Sequence, residues 1–158
     1  MKSLNRLDLE ALSVKAAASP RLRAHHNFHA ELSAPVQRLA IAMEPGTYVR
    51  PHRHSSTWEV LCPLAGAFDL VVFDEKGCVL SRHRLGREGA AVFELPPATW
   101  HAVVSLELGS VVFEVKQGPY LPLSAPDLAG WSPAEGEASV AKMLEFLTTA
   151  KPGEYFVA

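Results

Sequence analysis

His52 and His54 are separated by a single residue, Glu59 follows five positions later, and His101 stands alone after Pro96, Pro97 and Trp100. Neutral imidazole nitrogens and one carboxylate oxygen make a ligand set suited to one divalent transition metal ion, with iron, zinc, manganese and nickel all admissible. Side chains alternate along extended chain, so His52 and His54 project to the same face and can converge on one ion. Glu59 can return from the start of the next strand across Ser55-Ser56-Thr57, and His101 needs a further strand to close the set. Three nitrogens and one oxygen leave room on an octahedral ion for water or substrate. A His-x-His pair alone is weak evidence, because surface histidines are common; the weight comes from its surroundings.

Those surroundings are β-rich. The runs VQRLAIAME, TYVRPH, TWEVLCPL, AFDLVVFD, CVLSRHRL, AAVFELP, WHAVVSLE and SVVFEVK recur at short intervals. Turn signals at Glu44-Pro45-Gly46, Asp74-Glu75-Lys76-Gly77 and Glu107-Leu108-Gly109 separate them. Many short strands so spaced predict a sandwich or barrel rather than an alternating α/β fold. A helix is predicted over 8–19, capped by Asp8 and stopped by Pro20, and an amphipathic helix over 137–149 with Val140, Met143, Leu144 and Leu147 on one face. The expected division is an N-terminal helix and polar connecting segment over 1–30, a β-barrel over 31–120, and an irregular segment with a C-terminal helix over 121–158.

At 158 residues, 48% apolar and 20% charged, the chain has the composition of one ordinary soluble domain. A net charge of -2 gives no electrostatic case for nucleic acid or an anionic membrane. No apolar run approaches the roughly 18 residues needed to span a bilayer, and Asp8 and Glu10 interrupt any secretory h-region. Cys62 and Cys78 do not form a disulfide framework and are read as reduced thiols, so a cytoplasmic location is expected.

Gly46, His52, His54, Glu59 and Gly66 reproduce a recognisable spacing: a glycine, five residues, His-x-His, four residues, a glutamate, six residues and a glycine. This resembles the first motif of the cupin superfamily. Pro96 and His101 fit the second motif, although Ala90 and Ala98 stand at its two glycine positions and Ser105 at its asparagine. The resemblance implies an all-β, single-domain jelly-roll barrel with short N- and C-terminal helices and a metal held inside its mouth by His52, His54, Glu59 and His101. The runs PVQRLAIAMEPGTYVRPHRH, FELPPATWHAV and FEVKQGPY, with WSPAE, resemble more closely the WbuC family of cupin-fold metalloproteins. Members of that family tend to occur among bacterial O-antigen genes.

Other side chains are candidates for the site by alternation. Tyr48 and Arg50 share the face of His52 and His54, and Arg50 can anchor an anionic or hydroxyl-rich ligand. Lys116 shares its face with Glu114 and, with Tyr120, is a candidate acid, base or hydrogen-bond donor. Gln37 is a weaker candidate for substrate binding. The basic segment from Arg21 to His29, holding His25, His26 and His29, is read as a polar loop or edge strand near the barrel mouth. Trp58 and Trp100 are packing walls or substrate platforms. These features predict a metal-dependent small-molecule enzyme with isomerase, epimerase or lyase chemistry, and the resemblance to the WbuC family implies a sugar or sugar-nucleotide-derived substrate in bacterial surface-polysaccharide biosynthesis. An Fe(II) dioxygenase and a non-catalytic, metal-stabilised binding module remain alternatives, and a homodimer is expected from the need to cover strand edges.

Overall fold

In a computed structural model that describes residues 1–157, eight strands build two antiparallel sheets. The strands are β1 (Arg23–Asn27), β2 (Val36–Met43), β3 (Glu59–Ala65), β4 (Ala67–Phe73), β5 (Val79–Gly86), β6 (Phe93–Leu95), β7 (Trp100–Ser105) and β8 (Val111–Gln117). The larger sheet runs β1-β2-β8-β3-β6 and the smaller β5-β4-β7. Ile41, Met43, Leu61 and Val112 from the first meet Phe68, Leu70 and Leu85 from the second in one core, as in a jelly roll.

The chain changes sheets between β3 and β4 at Gly66. Its φ is +66°, and a Cβ there would sit 2.1 Å from Ser110 Oγ and 2.9 Å from Ser110 Cα, so only glycine fits.

Each helix covers the outer face of one sheet. Helix α1 (Arg6–Ala17) lays Leu12 and Ala16 on Ala40, Ala42 and Val111 of the larger sheet. Its N-cap is Asn5, and Asp8 completes a capping box from the third helical position. The predicted cap at Asp8 is thereby corrected: the Asn5 amide oxygen reaches Leu7 and Asp8 N–H first. Helix α2 (Val140–Thr149) packs Met143 and Leu147 against Val71, Phe73 and Val104. Arg82 donates to the carbonyls of Leu147 (2.6 Å) and Ala150 (3.0 Å) at the end of α2. Its position is fixed in turn by the buried Asp69, at 2.9 Å.

One further expectation changes. The run TYVRPH is extended but lies outside the regular strands: Pro51 has no N–H to give a ladder, and His52 makes only isolated bridges, to His101 and Leu128. The basic segment supplies β1, an edge strand paired to β2. Both cysteines are free and partly exposed, and Cys62 faces away from Glu59 on β3, opposite Phe113. Among the described residues no helix is long and apolar enough to cross a membrane.

Candidate metal centre

Backbone pairing brings the histidines together. His52 N–H donates to His101 O (3.0 Å) and His101 N–H to His52 O (2.8 Å), while Ala98 N–H donates to His54 O (2.8 Å). Glu59 enters from the first position of β3, and His101 from β7, facing inward beside Val72 on β4. The ligating atoms of His52, His54 and His101 lie within 4.8 Å of one another. Glu59 Oε2 is 3.2 Å from His101 Nε2 and 3.5 Å from His54 Nε2.

Protonation suits metal binding. The Nδ1 atoms of His52 and His101 lie 2.9 Å from the carbonyls of Arg50 and Thr99. A carbonyl only accepts, so each Nδ1 carries the proton and leaves Nε2 a lone pair in the neutral ring. Burial, reinforced by His101, pulls His52 down to about 3 and keeps it neutral. Burial alone would raise the Glu59 carboxyl, yet His101 and His54 beside it hold it well below the usual carboxylate range. His54 Nε2 and Glu59 Oε2 are both buried without a hydrogen-bond partner. Orphans of this kind cost about 1–3 kcal/mol each; a cation between them would satisfy both. The three histidines therefore fit one divalent ion, and the Glu59 carboxylate stands beside two of them.

Ala98 holds the loop that carries His101. Its φ of +63° is a left-handed conformation at a position where the cupin motif has glycine. Replacing Ala98 by glycine is expected to stabilise the fold by about 0.5–1 kcal/mol, the steric relief exceeding the added chain entropy. Denaturant melts of the two proteins measure this, and a loss of stability would show that the loop is unstrained.

The remaining candidates divide. A cavity of about 500 Å³ is lined by the three histidines and Glu59, and also by Tyr48, Arg50, Lys116 and Tyr120. Arg50 is drawn toward the chain beyond β8: Nε donates to Ser132 Oγ, and Nη2 to the carbonyls of Ala129 and Ser132. The Tyr48 hydroxyl donates to Pro133 O at 2.8 Å, and burial pushes its phenol up to about 12. Gln37 lies apart, in a neighbouring cavity of about 300 Å³, where its amide donates to Leu32 O and Ala34 O. Neither Trp58 nor Trp100 lines the larger cavity; Trp100 instead carries the Arg53 guanidinium 4.6 Å above its ring.

Glu114 and Lys116 face inward. Lys116 lies opposite Glu59 on β3 and Gln37 on β2, and Glu114 opposite Leu61 and Leu39. Lys116 Nζ is 2.8 Å from Glu114 Oε1. Burial and the neighbouring Glu59 charge push the Glu114 carboxyl up to about 8. Burial works against the Lys116 ammonium, but the Glu114 and Glu59 charges outweigh it and raise its pKa. Glu114 was visible in the sequence only as a partner of Lys116. Arg23 and His25, which also line the cavity, had no sequence signal beyond their place in a basic segment.

Fold and site together define a cupin-type barrel with a three-histidine group, buried at His101 and half-buried at His52 and His54, able to hold a metal ion. The family model described as a domain of unknown function, DUF6016, matches residues 4–85, and the chain belongs to that family. No curated protein matches the sequence. Among solved structures, an RmlC-like cupin protein from Desulfovibrio desulfuricans is 19% identical over 74% of this chain and 96% of its own, with a TM-score of 0.52. KdgF from Halomonas sp. is 20% identical over 65% of this chain and 84% of its own, with a TM-score of 0.51. DMSP lyase DddQ from Ruegeria pomeroyi is 19% identical over 72% of this chain, which spans 54% of that protein, with a TM-score of 0.51. These likenesses establish the cupin fold.

Proposed function

We propose that this chain is a metal-dependent enzyme acting on a small, oxygen-rich, sugar-derived molecule, with His52, His54, Glu59 and His101 as the metal ligands. The observation that carries the reading is the Glu114–Lys116 pair, 2.8 Å apart inside the same 500 Å³ cavity as the histidine group. A charged pair on the inward face of an apolar strand has little structural reason to be there, because burying it costs more than an apolar pair would. A divalent ion at the histidines supplies Lewis-acid polarisation of a substrate carbonyl or hydroxyl oxygen. Glu114, its carboxyl pushed up to about 8, gives a proton to the substrate or takes one from it, with the Lys116 ammonium 2.8 Å away to stabilise its charged form, as isomerisation, epimerisation or elimination requires. Tyr120 donates a hydrogen bond to the ligand at the junction of the two cavities, both of which it lines. Tyr48 and Arg50 form part of the substrate wall. The resemblance to the WbuC family favours a role in O-antigen biosynthesis.

Oxygen chemistry on bound Fe(II) is the second reading, favoured by the ligand set itself, which serves either reaction. Metal analysis of protein purified without added metal separates the two: iron favours oxygen chemistry, and zinc, nickel or manganese favours the Lewis-acid reading. A thermal-shift panel of nucleotide sugars and sugar acids then tests the substrate class. With a turned-over substrate in hand, Lys116→Met is expected to lower turnover by about 10²–10⁴-fold at unchanged metal content. No response to any sugar class would sink the polysaccharide link.

A further inference from the structure

Strand β1 directs a polar face into the barrel. Arg23, His25 and Asn27 alternate onto one side, opposite Met43, Ile41 and Leu39 of β2. Met43 and Ile41 are core residues, so that side is the inside. Arg23 and His25 accordingly line the cavity that holds the three histidines, with Arg21 and Lys116.

Arg23 is the least satisfied of these cations. Its side chain is 16% exposed and its Nε is buried with no hydrogen-bond partner. Its Nη1 makes a long bond to Tyr48 O, 3.3 Å, and its Nη2 stays 3.9 Å from Glu135. Glu135 is engaged by Arg21, whose Nε and Nη2 reach the two carboxylate oxygens at 2.5 and 2.6 Å. The cavity as a whole carries four Arg and Lys side chains against three glutamates before any metal ion is counted. Burying an incompletely paired guanidinium is unfavourable, and its planar fork matches a carboxylate or phosphate group.

We propose that Arg23, with His25 two residues along the same inward face of β1, is the anchor of an anion subsite in this cavity, and that the substrate is a small organic anion bearing a carboxylate or phosphate ester. The inference rests on the reading of the cavity as a substrate site and names the substrate's charge. The adjoining 300 Å³ cavity, which shares His25, Glu114, Lys116 and Tyr120, gives the rest of such a ligand room. An inward charge on an edge strand also discourages edge-to-edge pairing, and the experiment separates that role from binding.

Parent, Arg23→Gln and Arg23→Lys proteins are assayed for metal content, then titrated calorimetrically with succinate, glycerol phosphate and uncharged glycerol, both metal-loaded and after chelation. The parent is expected to bind at least one anion and not glycerol; succinate and glycerol phosphate distinguish a carboxylate from a phosphate site. Arg23→Gln is expected to weaken that binding by about tenfold or more, the loss of one charge-assisted contact. Arg23→Lys, which keeps the charge and loses the fork, weakens it by roughly threefold or more, and decides the matter if Arg23→Gln does not fold. Anion binding that persists after chelation and still depends on Arg23 supports the subsite even where the metal assignment fails. The proposal is overturned if neither anion binds the parent, if the variants bind as the parent does, or if Arg23→Gln alters only self-association in light scattering.

Discussion

A His52→Ala, His54→Ala double variant is expected to purify with less than about a tenth of the metal carried by the parent, itself about one ion per chain. Both imidazoles are inside the barrel, and their ligating atoms lie within 4.8 Å of each other and of the His101 ligand atom. Removing the pair leaves Glu59 and His101, too few ligands to hold a divalent ion against water. The variant has good reason to fold. The contacts that set the loop are main-chain bonds, His52 to His101 and Ala98 to His54, which alanine keeps. Elemental analysis of both proteins provides the measurement, with circular dichroism as the check on folding. A folded variant with the parent's metal content would refute the assignment of all four ligands.

Chelation of the parent is expected to lower its midpoint of thermal unfolding by roughly 10 °C. Metal at about 1,000 times its dissociation constant adds about 4 kcal/mol to stability, and in a chain of this size each kcal/mol moves the midpoint by about 2–4 °C. The structural origin is local. Without a cation, His54 Nε2 and Glu59 Oε2 remain buried and unpartnered, and Glu59 and Glu114 crowd two carboxyls into one interior. The double variant supplies the control, since a chelator should leave it unchanged. A shift in the parent below about 2 °C would mean that packing alone holds the four side chains.

Much of the fold is legible along the chain. Short apolar runs between turn signals mark β2 to β8, and α2 carries its apolar stripe of Val140, Met143, Leu144 and Leu147. Gly66 is marked by its place in the motif, and the structure adds the cause, since Ser110 leaves no room for a side chain there. Where the reading missed, the cause is equally local. Pro51 breaks the ladder that TYVRPH would have formed, and Asn5 reaches the first helical amides before Asp8 can.

For the site, sequence spacing determined which residues travel together. His52 pairs with His54, Tyr48 with Arg50, Glu114 with Lys116, and Arg23 with His25, because extended chain repeats every two residues. Spacing cannot say which of two faces is inside. That depends on register and on how the sheets pack, and here it turned Glu114 and Lys116 toward Glu59 and turned the polar side of β1 into the cavity. Nor could spacing reveal that residues 129–133, some eighty positions away, would take up the donors of Tyr48 and Arg50. The sequence by itself determined a barrel and four residues whose types suit a metal. Only the tertiary structure decided which other charges share their cavity, because that depends on contacts between segments whose separation along the chain carries no local pattern.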